Sequence, residues 1–253
     1  MADLTPLLAL AFAAGIVGGA MNALAGGGTF ATLPALIALG LPANIANATS
    51  NVALLPGAGA SALAYRDELG SLGGVGWRTL AAITFVGGLA GSVLLVLTPS
   101  RAFDLIIPWL LLFAFLVMLA GKRAAAWLHA RVTIGARTLI VSQVFLGIYG
   151  GYFGGGVGLI TTAVYGLLAH VTPRAMFAPR TLMLAVANFA AAFVFIGFGM
   201  VAWWACLPML AGGILGGWLG AAVGKRLSPV AVRLWTLAVT GATTAVFFWR
   251  AYG

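Results

Sequence analysis

The sequence predicts an all-α integral membrane protein made of two inverted repeats. Each repeat is a glycine-broken helix pair, short or re-entrant, followed by three transmembrane helices. Three observations lead there. Hydrophobic residues make up 62% of the 253-residue chain and charged residues 7%, against roughly 25% charged in a soluble domain. Apolar runs such as 78–99 and 104–121 approach the roughly 20 residues a helix needs to cross the hydrocarbon core, and the segments of about 10 alternating residues that mark a β-barrel are missing. Finally, "AGGGTFATLP" (25–34) returns as "YFGGGVGLIT" (152–161) half a chain later.

Taken in order, 1–121 form the first transmembrane repeat, 122–137 a basic cytoplasmic connector and 138–253 the second repeat. "GIVGGAMNALAGGG" (15–28) lies against "GIYGGYFGGG" (147–156) with a gap of four residues. Residues 46–65 lie against 175–194, and 87–101 against 212–226; internal halves of this kind are common in secondary transporters. The broken pairs are 7–25 with 29–40 and 138–153 with 156–170. Full spans follow at 44–65, 78–99 and 104–121, then at 176–198, 200–222 and 230–249. The first segment is apolar like a signal peptide, but it has Asp3 where such signals are basic, so it is read as retained.

Charge sets the orientation. With each broken pair going in and coming back, Arg66, Arg78, Lys122, Arg123, Arg131, Arg137, Arg174, Lys225, Arg226 and Arg233 share the cytoplasmic side, and Arg101 and Arg250 fall outside. With single crossings that bias nearly disappears. The positive-inside rule therefore predicts inverted halves with both termini periplasmic. The net charge of +9 belongs to cytoplasmic loops rather than to nucleic-acid binding.

Each glycine costs a helix about 1 kcal/mol, so two GGG runs inside apolar segments call for a reason. A chain break in the bilayer survives only where it is buried in protein or lines a watery cavity. Gly26, Gly27, Gly28 and Gly154, Gly155, Gly156 make such a break cheap. Helices restarting at Thr29 and Val157 would point free N–H groups and the positive dipole end at a shared anion site. The competing reading is close helix packing, and packing or loops are preferred for the other clusters at 73–76, 87–91 and 212–220.

Asn47, Thr49, Ser50 and Asn51, in the block "NIANATSN", either line a polar site or cap their helix. Arg180, about one turn into its span, is an oxyanion ligand through its planar fork or an anchor snorkelling to the interface. Asn22, Gln143 and Asn188 are weaker members of the lining, and His170 is read as interfacial. Trp77, Trp203, Trp204, Trp235 and Trp249 fit an interfacial belt. The acids Asp3, Asp67, Glu68 and Asp104 fall in termini, loops or span ends, so the site is neutral to positive and points to a small anion rather than a cation cargo. Proton coupling needs no carboxylate when the anion carries the proton. One cysteine, Cys206, and two histidines offer neither a metal set nor a nucleophile with its base. No cofactor, metal or enzymatic activity is expected, and the sequence assigns no oligomeric state.

The first GGG segment, "NATSN" (47–51) and the second GGG segment resemble the TauE/SafE, or sulfite exporter, family over nearly the whole chain. The resemblance implies a bacterial inner-membrane transporter exporting sulfite or organosulfonates. It adds weight to Thr49, Ser50 and the GGG breaks as substrate contacts. Where the family's second half is expected to carry a GTS-like block, this chain reads "APRT" (178–181), which brings Arg180 to that place. A passive anion channel of the same architecture is the alternative.

Overall fold

The computed structural model describes residues 4–129, 135–168, 176–224 and 227–253; Asp3, Arg131, His170, Arg174, Lys225 and Arg226 lie outside the described residues. Ten α-helices are described. The first half holds α1 (Thr5–Ala25), α2 (Thr29–Ala38), α3 (Ala43–Ala64), α4 (Trp77–Leu97) and α5 (Ser100–His129), with a 3₁₀ turn at Arg66–Glu68. The second holds α6 (Ala136–Tyr152), α7 (Val157–Leu168), α8 (Phe177–Gly197), α9 (Trp203–Gly224) and α10 (Pro229–Tyr252).

Six of these helices, α1, α4, α5, α8, α9 and α10, are long and apolar enough to cross a membrane. Their surface reverses the soluble pattern: Trp249, Phe193 and Trp218 are 79%, 70% and 69% exposed, while Asn47, Thr49, Ser50 and Asn51 are buried. The chain is an all-α integral membrane protein. Helices α2 and α7, of 10 and 12 residues, rise only about 15 and 18 Å. The first five-helix half is longer than expected at its end: α5 runs past 121 to His129, into the segment read as the connector. "AGKRAAAWLH" is rich in strong helix formers.

Both broken pairs turn sharply at their glycines. A methyl at Gly18 on α1 would touch Thr32 on α2, and one at Gly150 on α6 would touch Val157 on α7. The first helix of each half packs in parallel along the fourth helix of the other. On α9, Gly212 and Gly216 face the backbone of Phe12 and Ile16 on α1, while Gly220 faces Ala20. On α6, Gly147 and Gly151 face Gly87 and Gly88 on α4. Added methyls at Gly212, Gly216 and Gly151 would run into backbone carbonyls, so these glycines serve close approach of two main chains, as read for 87–91 and 212–220.

α3 runs antiparallel to α8, and α5 to α10. The rings of Tyr65, just past α3, and Phe177, at the start of α8, stack at 6.1 Å. Midway along both helices, Asn51 donates to Asn188. On the last helices, the Trp109 ring of α5 meets Phe248 of α10 edge-on at 5.1 Å, and Arg233, near the other end of α10, donates to the Leu119 carbonyl. Arg101 and Arg250, the two basic residues placed on one side by the charge argument, line one pocket of about 350 Å³.

Candidate functional site

Both breaks lie where the sequence puts them. α1 ends at Gly26, whose φ of 78° lets its N–H reach the carbonyls of Met21 and Asn22. Gly154, with φ 73°, performs the same turn after α6, donating to the Tyr149 carbonyl. A side chain is strained at positive φ, so glycine is needed at these two positions. Gly28 has ordinary helical angles, and its N–H is answered by Asn22 Oδ1 at 3.2 Å. Thr29, buried, heads α2, and the Gly155 carbonyl accepts from the Tyr149 hydroxyl at 2.8 Å.

The two breaks meet. A Cβ on Gly26 would stand 2.8 Å from Gly158 Cα, and one on Gly156 would stand 3.1 Å from the Phe30 ring. Phe30 is 1% exposed and also touches Gly27, so its ring occupies the space between them. Its carbonyl, at the start of α2, accepts from Thr243 of α10.

The capping alternative for the asparagine-rich block does not describe what its side chains do. Asn47 donates from Nδ2 to the Tyr152 carbonyl at 3.2 Å, at the end of α6. Thr49 Oγ1 accepts from the Ala202 N–H at 3.0 Å, just before α9. Ser50 and Thr32 of α2 share a hydrogen bond of 2.5 Å, and Asn51 Nδ2 reaches Asn188 Oδ1 of α8 at 3.3 Å. Four residues of α3 thus tie four other elements together. The reason is helical geometry: Asn47 and Asn51 lie one turn apart on one face, with Thr49 and Ser50 turned toward others.

Arg180 lies elsewhere on the same assembly. On α8 the stripe Arg180, Leu184, Asn188 recurs every four residues, so Arg180 sits two turns from the Asn51–Asn188 contact, on the side of the Tyr65–Phe177 ring pair. It is 8% exposed and its guanidinium carbon lies 4.7 Å from the Phe177 ring centroid. The ion pairs recorded among the described residues, Arg66 with Asp67 and Arg250 with Asp104, do not include it. Val157 shares an apolar cluster with Leu184, and Tyr165 shares another with Met176. Thr161 lies one turn from both Val157 and Tyr165 on α7. Its hydroxyl is buried and has no partner.

The structure thus brings Gly26, Gly27, Gly28, Thr29, Asn47, Ser50, Asn51, Gly154, Gly155 and Gly156 around the breaks, turns Thr49 toward the start of α9, and sets Arg180 apart at one flank. Asn22 and Asn188 join the first group. Gln143 does not: it donates to Thr84 at 2.6 Å and accepts from Tyr165 at 2.8 Å. The sequence reading missed Thr32, Thr161 and Phe30. The threonines look like ordinary helix residues, and a lone phenylalanine carries no signal until the second break is seen beside it.

The sequence model of the family described as "Sulfite exporter TauE/SafE" matches residues 11–247. A "Probable membrane transporter protein" of Haemophilus influenzae is 33% identical over 218 residues, covering 85% of this chain and 84% of that protein. "Probable membrane transporter protein ORF9" of a Sinorhizobium species is 31% identical, covering 87% and 82%. "Probable membrane transporter protein YfcA" of Escherichia coli K12 is 28% identical, covering 87% and 80%. No solved structure matches the chain.

Proposed function

Because the chain belongs to the TauE/SafE sulfite exporter family of membrane transporters, we propose that it is a secondary transporter carrying a small sulfur-containing anion, sulfite or an organosulfonate, outward across the bacterial inner membrane. The observation that carries this reading is Arg180: a buried cation that pairs with no carboxylate among the described residues. A buried charge is costly unless paired, and a guanidinium fork suits the oxygens of an oxyanion. The anion enters at this flank and passes to the converging breaks, where amide ends favour negative charge.

The inverted arrangement of the halves is part of the same reading. It is supported by the sharp turns in both broken pairs and by the antiparallel courses of α3 with α8 and α5 with α10. Phe30 closes the space between the breaks in this conformation. Alternating access then requires the unit built on the α1–α9 seam and the unit built on the α4–α6 seam to shift against each other so that Phe30 leaves Gly156, while each seam, which joins one helix from either half, holds.

A thermal-shift screen of the purified protein against sulfite, sulfate, thiosulfate, sulfonates and carboxylates tests the proposal. A ligand at 100 times its Kd adds about 2.7 kcal/mol of stability, so a sulfur oxyanion should raise the unfolding temperature by several degrees. Arg180→Ala should abolish that rise, and the protein should still fold. If no anion shifts the wild type, or if Arg180→Ala responds as the wild type does, the assignment fails. Saturable flux that exchanges against substrate on the far side is expected of a carrier; unsaturating conductance would identify a passive channel.

A further inference from the structure

Charge and position single out the pocket between α5 and α10. Arg101 lies in the first turn of α5 and Arg250 in the last turn of α10. Both helices are long and apolar enough to cross a membrane, so both residues stand at the end of a span, at the depth of the lipid headgroups. With Asp104, Leu105, Phe247 and Ala251 they line a space of about 350 Å³, within the size range of ligand pockets. Its charges do not balance. Asp104 Oδ1 answers Arg250 at 3.5 Å, and no ion pair among the described residues includes Arg101. Two guanidiniums against one carboxylate leave one positive charge, which a single phosphodiester group neutralises.

The walls of this pocket are held in place, and its neighbours face outward. The Tyr252 hydroxyl accepts from Trp109 Nε1 and donates to the Leu105 carbonyl, both at 2.9 Å, and the Trp109 ring meets Phe248 edge-on. The end of α10 is thereby pinned to α5 beside the two arginines. Trp109, Trp249 and Tyr252 are 56%, 79% and 57% exposed. Large amphipathic rings left uncovered near a span end belong to the membrane interface, with one edge in hydrocarbon and the polar atom toward the headgroups. A soluble anion needs no such rim. A guanidinium fork takes phosphate oxygens in pairs, and each Arg at an anionic membrane surface adds about 1 kcal/mol of attraction.

We propose that Arg101 and Arg250 bind the phosphate of an anionic phospholipid, whose acyl chains lie against the exposed surfaces of Leu105 and Trp109. Asp104 holds Arg250 and limits the site to a single negative charge. Because α5 ends the first five-helix half and α10 the second, the headgroup ties the two halves together at this end. The site goes beyond the transport reading and does not rest on it, since none of its lining residues belongs to the breaks or to α8.

The test follows thermal unfolding of the purified full chain in mixed micelles of a neutral detergent with phosphatidylglycerol or phosphatidylcholine. Phosphatidylglycerol should raise the unfolding temperature saturably, by several degrees, and phosphatidylcholine, whose headgroup has no net charge, by much less. Arg101→Gln should weaken the phosphatidylglycerol response about tenfold in lipid concentration. It should still fold, because Arg101 is exposed and makes no ion pair among the described residues. Asp104→Asn, which frees the Arg250 fork, should strengthen the response. Equal shifts with the two lipids would overturn the site, as would an Arg101→Gln protein that responds as the wild type does. Arg137→Gln, at an exposed arginine in the first turn of α6, should leave the response unchanged. Weakening equal to that of Arg101→Gln would mean diffuse surface charge and overturn the site too. Inorganic phosphate giving the same Arg101-dependent rise without lipid would overturn the lipid as occupant and give the pocket to a soluble oxyanion. Arg180→Ala should keep the lipid response, so the failure of this site and the failure of the transport reading are read separately.

Discussion

Ser50 and Thr32 join α3 to α2 through two hydroxyls that are both 0% exposed. Thr32 Oγ1 also donates to the Gly28 carbonyl at 3.2 Å, so the loss of Ser50 does not leave the Thr32 hydroxyl wholly unanswered. Ser50→Ala should therefore destabilise by about 1 kcal/mol and Thr32→Val by about 1–2 kcal/mol, near the range for a buried hydrogen bond lost on one side. The double variant should cost less than the two together, because no orphan is left. Chemical or thermal unfolding of the four proteins measures this; strict additivity would mean that the pair is not coupled. Which of the block's polar groups reach which helix could not be read from "NATSN" alone. The residue types announced hydrogen bonding, but their partners are 105, 137 and 153 residues away in the chain for Asn47, Asn51 and Thr49.

Among the helices, glycine does two different jobs, and only surroundings separate them. Gly26 and Gly154 end helices at positive φ, whereas Gly151 and Gly216 sit inside helices against neighbouring backbone, where a Cβ would strike the carbonyls of Gly88 and Ile16. Gly59, inside α3, has nothing within 4 Å of its added methyl. Gly151→Ala and Gly216→Ala should each destabilise by about 1–3 kcal/mol or more through overpacking, while Gly59→Ala should be neutral or stabilising by about 0.5–1 kcal/mol. Unfolding midpoints in detergent separate the two classes, and equal losses at all three positions would refute the seam assignment. The helix breaks were legible because three glycines in an apolar run have few other uses. The extension of α5 to His129 was not, because a basic segment signals a cytoplasmic location more strongly than it signals helix or coil.

For the molecule as a whole, the inverted arrangement makes a topological prediction: a reporter fused at the C-terminus should read periplasmic, and one inserted in the connector after His129 should read cytoplasmic. A cytoplasmic C-terminus would remove the inverted reading, even with the helix packing unchanged. The bias of Lys and Arg to one set of loops was enough to make that prediction, since charge placement relative to a bilayer is written residue by residue. Composition and run length likewise determined by themselves that the chain is a helical membrane protein, because hydrocarbon demands about 20 apolar residues per crossing whatever the neighbours are. The tertiary structure decided the rest. It brought Gly26 against Gly158, filled the gap between the breaks with Phe30, and left the side-chain oxygens of Asn47, Asn51 and Thr161 unanswered. These are relations between residues far apart in the chain, fixed by packing of one half against the other, and no local pattern of side chains encodes a distance across that interface.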